Sequence, residues 1–265
     1  MDAGTSVRSP LSARRSHATG SLPALRVQLI HSFRLTREGC QVALPLTAQR
    51  VVAFLALNRH PQHRSKVAGT LWMDACEERS SANLRSALWR LRQAGSELIE
   101  SIGSLLRLGP DVAVDVREAE ARAQRLIECR QDGGEGDLSM GGLGGTLLSN
   151  WYDDWVTVER ERLRQLRLHA LEALAERLTG LGRYAEAIQV ALEVVLEEPL
   201  RESAHGILIA AHLAEGNRYE AMRQYRSYCR AMQKELGLDP SERLTALVAD
   251  LMTCMTTLAP AATGP

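Results

Sequence analysis

The sequence predicts a mainly α-helical protein with a small β component, divided into an amino-terminal unit that mixes short strands with helices and an all-helical carboxy-terminal unit. Three observations carry that reading. The segment Ser80 to Gln93, SSANLRSALWRLRQ, is amphipathic at helical spacing: Leu84, Ala87, Leu88 and Leu91 fall on one face, and Arg85, Ser86, Trp89, Arg90 and Gln93 spread over the other. Charge is divided unevenly although the 265 residues sum to zero. Residues 25–110 hold twelve Lys/Arg against six Asp/Glu, and residues 111–265 hold 17 against 25. Finally, the carboxy-terminal half repeats itself at an interval of 34 residues.

The elements follow in order. Leu25 to Leu46 reads as short strands, LRVQLIHSFRL and VALPL, around a turn at Arg37-Glu38-Gly39. Thr47 is positioned to cap a helix whose buried face is Val51, Val52, Phe54 and Leu55, with Leu46 and Val51 stapled across the cap and an end near Asn58. Pro61 enforces a break, and Ser65 is a second candidate cap, for a short helix through Leu71 and Trp72. Residues 74–79, DACEER, form an acidic connection into the arginine-bearing helix. After it, Leu98-Ile99-Glu100 and Leu105 to Leu108 flank Ser101 to Ser104 as a hairpin, with Gly103 giving the turn its freedom. Strands, helix, helix, exposed helix and hairpin is the order of a winged helix-turn-helix, whose third helix enters the DNA major groove. Outward guanidinium groups suit phosphates and guanine edges, whereas a solvated charged face is the bland alternative. Arg64 and Lys66, near the start of the second helix, are backbone clamps or ordinary surface charge.

In the second half, Gly182 recurs as Gly216, Glu186-Ala187 as Glu220-Ala221, and Ile188 as Met222, and Pro199 falls 17 residues after Gly182. The interval is that of tetratricopeptide repeats. Glycine permits the tight turn, Ala187 and Ala221 let paired helices approach, and proline stops continuation. A long helix from Trp151 to Thr179 precedes helices at 184–197, 203–215 and 218–235, with Ser241 to Thr257 returning alongside. Gln131 to Gly145, QDGGEGDLSMGGLGG, reads as a flexible connection or disordered loop.

Enzyme chemistry has no foothold. The glycine-rich stretch lacks the lysine of a phosphate-binding loop, and no GxSxG, HExxH or supported carboxylate pair occurs. Five separated cysteines form no CxxC, so neither metal nor disulfide framework is expected, and no cofactor. Asp153-Asp154 reads as helix-dipole compensation. No apolar run approaches the ~20 residues of a membrane span. A reducing cytoplasm fits best, and the Arg/Ser-rich residues 1–24 read as a disordered tail.

Leu71-Trp72, Asn83-Leu84, Trp89-Arg90-Leu91-Arg92 and the strand Leu105 to Leu108 resemble the DNA-binding domain of the Streptomyces antibiotic regulatory protein (SARP) family, itself similar to response-regulator winged helices. WYDDW, ERERLRQLRLHALEAL, LGRYAEA, EEPLRESAH, LAEGNRYEA and KELGLDPS resemble the bacterial transcriptional activator domain attached to such winged helices. The resemblance implies a tail at 1–24, a winged helix-turn-helix domain at 25–112, a tetratricopeptide-like activator domain at 113–258 containing the loop 131–145, and a tail at 259–265. It implies a promoter-binding activator, and the sequence is expected to lack the ATPase, phosphopeptide-binding or receiver module that some larger relatives carry. Arg90 and Arg92 would grip phosphates, Arg85, Ser86 and Trp89 would face the groove beside Gln93, and Ser104 or Arg107 would lie on the wing. Asp74, Glu77 and Glu78 would form the loop that meets RNA polymerase holoenzyme. Double-stranded DNA with tandem direct repeats would be bound by a head-to-tail homodimer. Trp89 departs from the small or polar residue common at its place, and packing is the expected role, against stacking on sugar or a protomer contact. Trp89 and the acidic segment also motivate a second reading, a repeat-protein adaptor whose winged helix no longer binds DNA.

Overall fold

The computed structural model describes residues 25–94, 97–128, 138 and 140–257; both expected tails and most of the glycine-rich stretch lie outside these residues. Strands β1 (Leu25–Gln28), β2 (Arg34–Arg37) and β3 (Cys40–Gln41) form an antiparallel meander, and β7 (Val112–Val114) joins β1 in parallel, giving the order β3-β2-β1-β7. Leu25 and Val27 face the core and pair with Arg37 and Leu35, as the two-residue period of a half-buried strand requires. VALPL, expected as a strand, is extended but largely unpaired and runs into Pro45, the N-cap of α1 (Leu46–Leu57). The helix therefore begins before the cap expected at Thr47. Leu46 is 60% exposed while Val51 is fully buried, so the expected staple does not form.

Strand β4 (Gln62–His63) follows, then α2 (Arg64–Leu71), α3 (Glu77–Ala94), β5 (Ile99–Ile102) and β6 (Leu105–Leu108). These strands form a second sheet, β4-β6-β5, which the break at Pro61 had concealed. Pairing with β6 keeps the chain extended through His63, and the Arg64 amide donates to Ser104 O at 3.0 Å, so His63 rather than Ser65 caps α2. The hairpin turn is tighter than expected, because only Gly103 and Ser104 separate the strands. At its base a Cβ on Gly109 would lie 2.1 Å from the Glu97 carbonyl oxygen, a closeness only glycine tolerates.

Helix α4 (Asp115–Glu128), which the sequence had not disclosed, connects this part to α5 (Asp154–Gly180), α6 (Tyr184–Glu197), α7 (Glu202–Glu215), α8 (Arg218–Leu236) and α9 (Glu242–Thr257). Successive helices pack on one another from α4 to α8, and α9 closes against α7 and α8. Gly182 (φ 74°) lies in the α5–α6 turn, and Gly216 (φ 89°) caps α7 in the left-handed conformation. Ala187 and Ala221 are fully buried at the helix contacts, and Pro199 follows the end of α6.

The two halves share a core. Leu147, Leu148 and Val156 bury with the amino-terminal residues, Trp151 stacks on Phe33 and Trp155 meets Phe54 edge-on. Strand β7 spans residues 112–114, so the division expected at 112/113 falls inside an element of the amino-terminal sheet. The end of the glycine-rich stretch is folded rather than loose: Leu143 is buried, and the Leu143 amide turns back to Met140 O at 3.1 Å. Helix α4 locks the halves together through Arg117, whose guanidinium reaches the carbonyls of Leu55 and Ala56 at the end of α1. The Asp115 carboxylate accepts from the Leu29, Ile30 and Val116 amides. Burial pushes the Asp115 carboxyl above the usual range despite those amides.

Candidate nucleic-acid interface

Helix α3 owes its position to the apolar stripe legible in its sequence. Leu84, Ala87, Leu88 and Leu91 are buried against α1 and α2, joined by Ser80, whose hydroxyl donates to Glu77 O at 2.9 Å. The opposite face is open: Arg85, Ser86, Trp89, Arg90, Arg92 and Gln93 are all exposed. At 100° per residue, Arg92 lies in line with Arg85, and Trp89 sits between them.

Arg64, the first residue of α2, completes this surface. Together with Arg85, Ser86, Trp89, Arg90 and Arg92 it lines an open groove of about 630 Å³. A guanidinium N–H of Arg64 donates to the Ser101 hydroxyl at 3.1 Å, fixing the start of α2 to the wing. Ser104, at the wing turn, lies 3.4 Å from His63 Nδ1. Lys66 projects to solvent one residue beyond Ser65. His63 and Ser101 were not anticipated, because their contacts with Ser104 and Arg64 arise from the sheet β4-β6-β5, across 41 and 37 residues of chain.

Among the described residues, Arg79, Arg85, Arg90, Arg92 and Lys66 have no hydrogen-bond or ion-pair partner. Arg107 differs. On the wing its Nε donates to Glu100 Oε2 at 2.7 Å, so the charge expected to meet DNA is already neutralised by the neighbouring strand. Trp89 is 63% exposed, which runs against the expectation that it packs. The acidic loop is also shorter than expected. Asp74 stays in the α2–α3 turn beside exposed Met73, but Glu77 and Glu78 belong to the first turn of α3, where carboxylates offset the helix dipole.

Chemically, this face offers several unneutralised planar donors around one exposed indole, on a helix anchored from behind. Such donors form paired, charge-assisted hydrogen bonds to phosphates and to guanine O6/N7. Among the described residues no group of three or more His, Cys, Asp or Glu stands close enough to hold a metal ion, and no helix is long and apolar enough to cross a membrane.

Comparison with known proteins agrees with this arrangement. The bacterial transcriptional activator domain family matches residues 114–252, just over half of the chain. Regulatory protein AfsR of Streptomyces griseus is 26% identical over 267 residues, covering 93% of this chain and 26% of AfsR. Transcriptional regulator RedD of Streptomyces coelicolor is 26% identical over 260 residues, covering 92% of this chain and 68% of RedD. The chain thus spans about a quarter of one relative's length and two-thirds of the other's. In fold it is similar to Mycobacterium tuberculosis EmbR, solved in complex with a low affinity phosphopeptide, with a TM-score of 0.77 at 22% identity over 87% of this chain and 65% of that one. The fold of a winged helix followed by paired helices, and a family match over more than half its length, place this chain in the bacterial transcriptional activator domain family, as a SARP-type regulator.

Proposed function

We propose that the chain is a sequence-specific DNA-binding transcriptional activator that acts in the cytoplasm and performs no enzymatic step. Helix α3 lies in the major groove, with Arg85, Ser86, Trp89 and Gln93 toward the base edges and Arg90 and Arg92 on phosphates. Arg64, Lys66 and the wing turn at Ser104 hold the flanking backbone. Two protomers bind tandem direct repeats head to tail, about one helical turn apart. The turn carrying Asp74 meets RNA polymerase holoenzyme, and Glu77 and Glu78 support it from the first turn of α3. Residues 25–112 serve DNA and carry the polymerase-contact turn, and residues 113–258 support dimerisation, polymerase contact or signal reception.

One observation carries this reading: the guanidinium groups of Arg85, Arg90 and Arg92 are exposed and unpaired on a helix whose other face is fully buried. The exposed Trp89 favours the adaptor as the second reading, because an indole on a helix face also suits a protein partner. A mobility-shift titration on genomic fragments enriched by the full chain separates them. A discrete shift, lost in the double variant Arg85→Ala/Arg90→Ala with circular dichroism unchanged, supports the activator. No enrichment of any fragment, or equal and salt-insensitive affinity for all duplexes, overturns it.

A further inference from the structure

A second concavity, lined in part by α4, shares no residue with the groove on α3. It has a volume of about 420 Å³ and sits where the amino-terminal sheet, α4, α5 and the folded end of the glycine-rich stretch meet. Ile30, Val116, Ala119, Leu143, Leu163 and Leu166 supply apolar walls. A largely apolar cavity of this size at a junction of two cores is where small molecules bind.

The polar groups around it decide which ones. Glu120 is already held by Arg59 and Arg162, Glu197 by Arg167, and Arg164 by Glu161 and Glu198. Arg160 is different. It lines the same cavity, is part-buried, and donates only to neutral carbonyl oxygens: Leu147 at 2.9 Å, Leu148 at 2.8 Å and Trp151 at 2.9 Å. Its Nη1 has no acceptor among the described residues, and no carboxylate there balances its charge. A guanidinium fixed in place and unbalanced at an apolar wall is suited to an anion carried on an apolar body.

We propose that this cavity binds a small, mainly apolar monoanion, with the anionic group on Arg160 and the hydrocarbon against α4 and α5. The site is independent of the DNA-binding face, and its test does not involve DNA. The full chain is titrated with 1-anilinonaphthalene-8-sulfonate, and the bound dye is displaced with decanoate, decanol or decyltrimethylammonium below their micellar concentrations. Saturable one-site binding is expected, with decanoate at least tenfold more effective than the neutral or cationic analogue. Ala119→Trp, which fills the cavity from a part-exposed wall, is expected to weaken dye and decanoate at least tenfold without changing the circular dichroism. Arg160→Gln is expected to erase the preference for decanoate over decanol. If that variant fails to fold, the wild-type charge series and Ala119→Trp still decide. Absence of saturable binding, binding undiminished in Ala119→Trp, or equal displacement by decanol and decanoate in the wild type would overturn the proposal.

Discussion

Helix α3 carries four arginines, Arg79, Arg85, Arg90 and Arg92, over 14 residues, and the first half of α5 carries four, Arg160, Arg162, Arg164 and Arg167, over eight. The α5 guanidiniums are all engaged. Arg160 holds three carbonyls, Arg162 holds Glu120 and Glu159, Arg164 holds Glu161 and Glu198, and Arg167 holds Glu193 and Glu197. The α3 set holds nothing among the described residues. Thirty arginines against two lysines make arginine count a poor guide to function in this chain. Between these two helices it is the pairing of the arginines, not their number, that differs.

The comparison breaks most visibly if pairing in the helical repeats is not structural. Arg201 donates twice to Glu172, at 2.7 and 2.9 Å, and Glu172 is 5% exposed. Arg201→Ala strands that carboxylate and is expected to cost about 3–5 kcal/mol of unfolding free energy by urea denaturation. DNA affinity per folded molecule should not change. Burial alone would raise the Glu172 carboxyl, but Arg201 and Ser203 outweigh it and hold it below the ordinary range. Its stabilisation is therefore complete above the unfolded pKa of about 4.3 and is lost as pH falls through the lower folded value. The wild-type stability profile should decline in that acid window, and the Arg201→Ala profile should be flatter there.

On α3 the expectation inverts. Arg85→Ala is expected to leave stability within about 0.5 kcal/mol, as for an exposed residue without partners. It is expected to cost about 1–3 kcal/mol of binding to the preferred site and to relax the choice of base where Arg85 reads guanine. Fluorescence anisotropy on the preferred duplex and its single-base variants measures both. Arg92→Ala should instead weaken all duplexes alike and reduce the salt slope by about one.

The same contrast explains what could be read from the sequence. The α3 stripe was legible because Leu84, Leu88 and Leu91 repeat at the helical period, and the repeat turns because Gly182 and Gly216 are punctuation in a periodic pattern. Helix α4 was missed although Val116, Ala123 and Leu126 have helical spacing, since small and charged residues dilute the stripe. The caps fall elsewhere than Thr47 and Ser65 because Pro45 already holds the N-cap position of α1, and because the β4–β6 pairing, which is not local, keeps the chain extended through His63. The pairing state of each arginine was illegible for the same reason. Glu172 and Arg201 are 29 residues apart, and Glu120 and Arg162 are 42 apart, so only the fold brings them together.

The wing supplies the smallest and sharpest version of the contrast, since Arg107, on the hairpin proposed to meet DNA, is paired as α5 arginines are. Its Nη2 lies 2.6 Å from Glu100 Oε2, both side chains about two-fifths exposed. The pair is nearly neutral as a unit, so removing both charges in Arg107→Gln/Glu100→Gln should change affinity by less than about 0.5 kcal/mol, the scale of an exposed pair, whereas Arg107→Gln alone bares the Glu100 carboxylate and should lower affinity at low salt. Glu100→Gln removes the neutralising partner instead. It frees the guanidinium for a phosphate, and the salt slope should steepen by up to about one while affinity at low salt rises. A large loss from the double variant would mean that Arg107 leaves Glu100 when DNA binds, and that pairing in the free chain does not mark which arginines stay away from it.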